Sequence, residues 1–149
     1  MDKQALLPWL VIVCPLLVIL LWCAVVLLLS VLSGWRALAR HYPARPEDLG
    51  SVPRYRMRSA RFGWTDYTAI LQIACLEDAF VIGVLVPFQL GHSPLRFPWS
   101  EMTVSRCRGF FRAGFRIQLR RVPGVTIDLW VRSGDPLEAE FVRRFPDLG

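Results

Sequence analysis

Between Ala5 and Ser33 the chain has no carboxylate, lysine, arginine or histidine, and Leu, Val and Ile fill most positions. A helix crosses the hydrocarbon core with about 20 apolar residues, and this run is longer. Each Leu, Ile or Val favours insertion by about 0.3–0.6 kcal/mol at the helix centre. A core helix of a soluble protein would keep a polar face over such a length. The pattern therefore predicts a transmembrane helix, with its short tail, over residues 1–33. Pro8 falls in the first turns, where its missing N–H matters little. Pro15 predicts a kink of a kind that membranes tolerate.

The pattern changes after Gly34. Trp35 to Tyr42 continues helically, with Arg36 and Arg40 four residues apart on one face. An indole and two guanidiniums just past a span predict contacts at the membrane interface for Trp35, Arg36 and Arg40. Pro43 and Pro46 end this helix, and Glu47 to Pro53 reads as a linker, so residues 34–53 form a juxtamembrane segment.

From Arg54 the apolar period becomes two. The alternation predicts strands over Arg54–Arg61, Tyr67–Leu76, Ala79–Val86, Leu95–Phe97, Met102–Arg108, Phe115–Arg120 and Val125–Val131. Turns are expected at Phe62–Asp66, Glu77–Asp78 and Pro123–Gly124, with a loop over Pro87–Ser93. Phe115, Ile117 and Leu119 point inward, as do Val125, Ile127, Leu129 and Val131. The end is helical again. Asp135 is an N-cap, Pro136 stands at N1 and Glu138 at N3. Leu137, Phe141 and Phe145 then recur every four residues as one apolar stripe.

Seven short strands followed by one amphipathic helix, within residues 54–149, resemble the pleckstrin-homology-like fold. The likeness is to bacterial PH-like and GRAM-like domains that stand beside transmembrane segments. It rests on element order and on the stretch "FPWSEM" (Phe97–Met102), which is similar to the strand–turn–strand of such domains. The resemblance implies seven antiparallel strands in two nearly orthogonal sheets, with the last helix capping an open corner. The expected fold class is thus an N-terminal transmembrane helix plus a small mainly-β, PH-like domain. Pro98 cannot donate to a ladder, so Trp99 falls at a turn, where its indole is expected to close one end of the barrel.

Charge bears on placement. The net charge is +6, and Lys3 is the lone lysine. Lys3 alone precedes the span, whereas Arg36, Arg40 and Arg45 follow it closely. Bases near a span stay on the cytoplasmic side. The expectation is a single-pass inner-membrane protein with its N-terminus outside and its C-terminal domain in the cytoplasm. A cleaved signal peptide would have a basic n-region and a core of roughly 7–15 residues, and Val31–Ser33 offers only a weak cleavage site. Neither Cys14 nor Cys23 follows the small residues that precede a lipoprotein cysteine. Cys75 and Cys107, in apolar strands, read as reduced core thiols.

The search for chemistry yields no constellation. His41 and His92 read as solvent-exposed and have no zinc-spaced partner. Asp66, Glu77, Asp78 and Glu101 fall in turns. No nucleophile elbow or phosphate loop is present. The expectation is a non-enzymatic interaction module without cofactor, catalytic residue or metal; the alternative is a membrane-tethered enzyme or an accessory subunit of a membrane enzyme complex. Its partners would be the bilayer and an unidentified protein, with nucleic acid ranked behind both. By resemblance, Arg54, Arg56, Arg58 and Arg61 on the first strand and loop are candidates for anionic lipid headgroups, against the plainer reading of a solvated outer face. Trp64 and Trp130 are candidate contacts for a protein partner.

Overall fold

The computed structural model describes residues 3–148, with side-chain environments from Pro8 onward. Helix α1 runs over Lys3–Leu32, and its Pro8–Leu32 portion is long and apolar enough to cross a membrane, with only 6% of its most apolar window buried. Ser33 and Gly34 break the helix. Gly34 is left-handed (φ 76°), and a Cβ there would meet a Val125 methyl at 2.6 Å, so glycine suits the site twice over. Helix α2 follows over Trp35–His41.

Seven strands come next: β1 (Arg54–Phe62), β2 (Thr65–Cys75), β3 (Ala79–Val84), β4 (Leu95–Pro98), β5 (Met102–Arg108), β6 (Ala113–Leu119) and β7 (Val122–Trp130). They form one antiparallel sheet in the order β4-β3-β2-β1-β7-β6-β5. The sheet curls into a half-barrel, and helix α3 (Pro136–Arg144) packs on it. This is the arrangement of elements expected from the sequence.

Each end of the half-barrel is closed by a helix. At the end near α1, α2 enters the core. Trp35 and Leu38 are fully buried, and the Trp35 ring lies 4.8 Å from Phe62 and 5.6 Å from Tyr67. Its indole N–H donates to the Ser93 carbonyl at 2.8 Å. Trp35, expected at the membrane interface, is therefore a core residue: its side chain satisfies both the apolar lining and a loop carbonyl. Residues 43–53 are likewise not a free linker. Leu49, in a 3-10 turn over Pro46–Leu49, covers Ala74 and Val81 on the outer face of β2 and β3.

At the far end, Phe141 of α3 reaches both halves of the sheet, 5.3 Å from Phe80 on β3 and stacked 4.9 Å from Phe115 on β6. Trp99 lies 5.7 Å from Phe141, donates its N–H to the Leu76 carbonyl at 3.1 Å, and has the Arg144 guanidinium over its ring at 4.4 Å. An indole follows the strand break because the barrel mouth there is closed by aromatic rings. Asp135 caps α3, accepting from the Leu137 amide at 2.9 Å, while Glu138 turns back to the Gly134 amide at 2.9 Å.

Two details of register differ from simple alternation. The β6–β7 turn falls at Arg120–Arg121, and Pro123 and Gly124 lie inside β7, where the pairing slips between Gln118 and Leu119. The β1–β2 pairing slips between Tyr55 and Arg58 and again between Arg58 and Ala60; Met57 and Ala69, at these slips, have φ of 55° and 58°.

Candidate interaction groove and helix junction

The bulge at Met57 decides where the first-strand arginines go. Arg54 and Arg56 keep their outward face, but the extra residue shifts Arg58 onto the side of buried Ala60 and Phe62. Arg58 there makes a two-pronged ion pair with Asp135, the cap of α3. Arg61 pairs with Asp66 at 3.0 Å, and Arg54 donates to the Gln72 side chain at 3.4 Å. The four candidate headgroup ligands thus do not share one face; local alternation does not report a bulge.

Arg56 and the Arg58–Asp135 pair line an open groove of about 730 Å³ between the β1 bulge, the β5–β6 loop and the chain leaving β7. Trp130 lies in its wall, with Arg112 and Arg132 beside it. Among the described residues, Arg56, Arg112 and Arg132 have no carboxylate partner. A second hollow of about 420 Å³ lies across the same loop, bounded by Arg61, Thr68 and Trp130. Between the two stands the loop tip, Phe110 and Phe111, 93% and 90% exposed, their rings packed edge to face at 4.6 Å. Gly109 lets this loop approach the Trp130 ring, since a Cβ there would meet the indole at 3.1 Å. Alternation identifies Trp130; it passes over Phe110 and Phe111, whose signal is two adjacent aromatics in a glycine-flanked turn.

Trp64 belongs elsewhere. It is 97% exposed in the β1–β2 turn, next to Gly63, whose outward position lies 3.9 Å from the Ser33 carbonyl at the end of α1. Trp130 pairs with Ser59, five residues back along β1, about 15 Å away at strand rise. The two candidate partner contacts therefore lie in separate places. Arg36 and Arg40 are exposed on the outer side of α2, at the α1 end of the domain.

Where α1 meets the domain, a buried polar chain replaces the exposed histidine expected at position 92. His92 is buried, hydrogen-bonds Tyr67 Oη through Nε2 at 2.8 Å, and donates to the Leu90 carbonyl from Nδ1 at 3.0 Å. Tyr67 Oη also bonds Ser33 Oγ at 2.9 Å, and Ser33 Oγ accepts from the Trp35 amide at 3.3 Å. Burial lowers the His92 pKa below the ordinary imidazole value, more than the Leu90 carbonyl raises it. His41 is exposed.

Neither thiol is activated. Burial pushes Cys75 up to about 12. Cys107, expected in the core, lies half-buried on the face of β5 opposite Met102 and Val104, and burial raises its pKa too.

Comparison with family models, curated proteins and solved structures finds no match for this chain.

Proposed function

We propose that this protein is a single-pass, membrane-anchored interaction module of PH-like type, whose groove at the far end of the domain receives an acidic segment of a partner protein. The observation that carries this reading is the grouping of Arg56, Arg112 and Arg132, none with a carboxylate partner among the described residues, around exposed Phe110, Phe111 and half-buried Trp130. Guanidiniums supply complementary charge, and the aromatics supply the desolvated anchor that protein interfaces use. The groove takes Arg56–Ser59 of β1, and Arg56 lies about 20 Å by strand rise from the Phe62 end that adjoins α1. Screening acts over about 8 Å at physiological salt, so these arginines face a cytosolic or lateral partner better than their own leaflet. Headgroup contacts fall more naturally to Arg36 and Arg40, with Trp64 as the interfacial indole in place of Trp35.

A photo-crosslinking residue at Phe111, in the full chain in its native membrane, tests the reading. A discrete protein adduct that disappears when Arg56, Arg112 and Arg132 are changed to Ser supports it. An adduct only to lipid, no adduct, or one indifferent to those arginines counts against it.

A further inference from the structure

The β3–β4 loop runs back along α1. The Phe88 ring lies 5.1 Å from that of Trp22. Gly91 is left-handed (φ 73°) and so close to the helix that a Cβ there would meet Leu27 Cδ2 at 2.8 Å, and its carbonyl accepts from the Ser30 hydroxyl. On the helix side, buried Val26, Ser30 and Ser33 form the matching stripe, while Val25, Leu28, Val31 and Leu32 point away and stay exposed. From Ala79 to Leu95 the chain has no Asp, Glu, Lys or Arg. On the loop's free side Val86 is 75% and Leu90 45% exposed.

Depth follows from helix rise. Pro8–Leu32 spans 25 residues, about 37 Å at 1.5 Å each, against a hydrocarbon core of about 30 Å. Wherever that core is placed within the span, Trp22 lies about 7–15 Å inside its domain-side edge. Phe88, in contact with Trp22, shares that depth. The loop's backbone is partly satisfied from within, as lipid requires: the Phe88 amide donates to Leu85 and the His92 amide to Gln89, and the Leu90 and Gly91 carbonyls accept from His92 and Ser30.

We infer that Val86, Phe88 and Leu90 of the β3–β4 loop insert into the acyl region of the leaflet beside α1, giving the domain a second membrane attachment that fixes its tilt. This inference rests on α1 being a spanning helix. Two attachments turn a tethered domain into an oriented one, so the groove around Phe110 and Phe111 is held facing away from the bilayer.

The test places a diazirine-bearing residue singly at Val86, Leu90, Phe110 or Leu20 in the otherwise native full chain. Each variant is reconstituted in vesicles of phosphatidylcholine and phosphatidylglycerol, irradiated and weighed intact. Phospholipid adducts at Val86 and Leu90 should approach those at Leu20 and exceed those at Phe110 several-fold. Water adducts at Val86 and Leu90, with lipid adducts at Leu20, overturn the loop placement and leave the span standing. Crosslinks from Val86 to a second copy of the chain also overturn it, in favour of a dimer. If Leu20 gives no lipid adduct, the spanning reading falls and the loop placement falls with it.

Discussion

Tyr67 and His92 share a buried hydrogen bond, between Oη and Nε2, of 2.8 Å, where the end of the long helix, the sheet and the β3–β4 loop meet. Nδ1–H of His92 donates to the Leu90 carbonyl, and Tyr67 Oη is shared between His92 Nε2 and Ser33 Oγ. The chain from the Trp35 amide through Ser33, Tyr67 and His92 joins the end of α1 to β2 and to the loop.

Burial disfavours the charged form of the His92 imidazole. Its folded pKa lies below the unfolded value, so in the window between the two the unfolded chain binds more protons, and stability falls as pH drops below about 6.5. The melting temperature of the full chain in detergent should therefore decline between pH 7 and pH 5. His92→Gln should lower stability at pH 7 and flatten the decline. An equally steep decline in the variant would assign the acid sensitivity to other groups.

Phe141 is the residue through which α3 holds both halves of the half-barrel. Its ring is fully buried among Phe80, Trp99 and Phe115. Phe141→Ala should cost about 3–5 kcal/mol in denaturant unfolding. A loss below about 1 kcal/mol would mean that α3 is peripheral. Phe145, half-buried at the edge of the same stripe, should cost less.

The strands, their order along the chain and the last helix were legible because burial on one face imposes a period of two or of 3.6. Asp135, Pro136 and Glu138 marked the start of α3 because cap chemistry is local. What escaped depended on contacts distant in sequence. Trp35 beside two arginines has the local look of an interfacial residue, and only Phe62, Tyr67 and Ser93 make it core. His92 in a Gly-Ser-Pro loop looks solvated until Tyr67 and α1 cover it. The groove needed the Met57 bulge, which pairs Arg58 with Asp135 in the groove wall and leaves Arg56, Arg112 and Arg132 as its unpaired arginines among the described residues. A one-residue slip in pairing leaves no mark in the hydrophobic pattern strong enough to read.

Two glycines make a paired prediction. A Cβ at Gly114 would stand 2.0 Å from the Leu129 carbonyl oxygen, and because that neighbour is backbone, relief requires β6 and β7 to part. Gly124, in the β7 bulge, has nothing within 4 Å of its Cβ position. Gly114→Ala should destabilise by about 3 kcal/mol or more, or prevent folding, whereas Gly124→Ala should change stability by less than about 0.5 kcal/mol. Similar melting temperatures for the two would contradict the register of β6 against β7.

For α1 as a spanning helix, the charges at its flanks predict the orientation. Lys3 is the one base ahead of the Pro8–Leu32 portion in residues 1–7, and Arg36, Arg40 and Arg45 follow within thirteen residues of Leu32. Both Arg36 and Arg40 lie exposed on the outer side of α2 and, among the described residues, have no carboxylate partner, so their charge is available to the phosphate layer. Bases held this close to a span are retained on the cytoplasmic side, and nearby Glu47 and Asp48 count little in that rule. The domain should therefore be cytoplasmic. A reporter active only in the cytosol, fused after Gly149, should be active, and one active only after export should be silent. Changing Arg36, Arg40 and Arg45 to Ser while adding two lysines near residue 3 should raise the exported fraction. An exported reporter in the unaltered chain, or a mature chain beginning near Gly34, would refute the orientation.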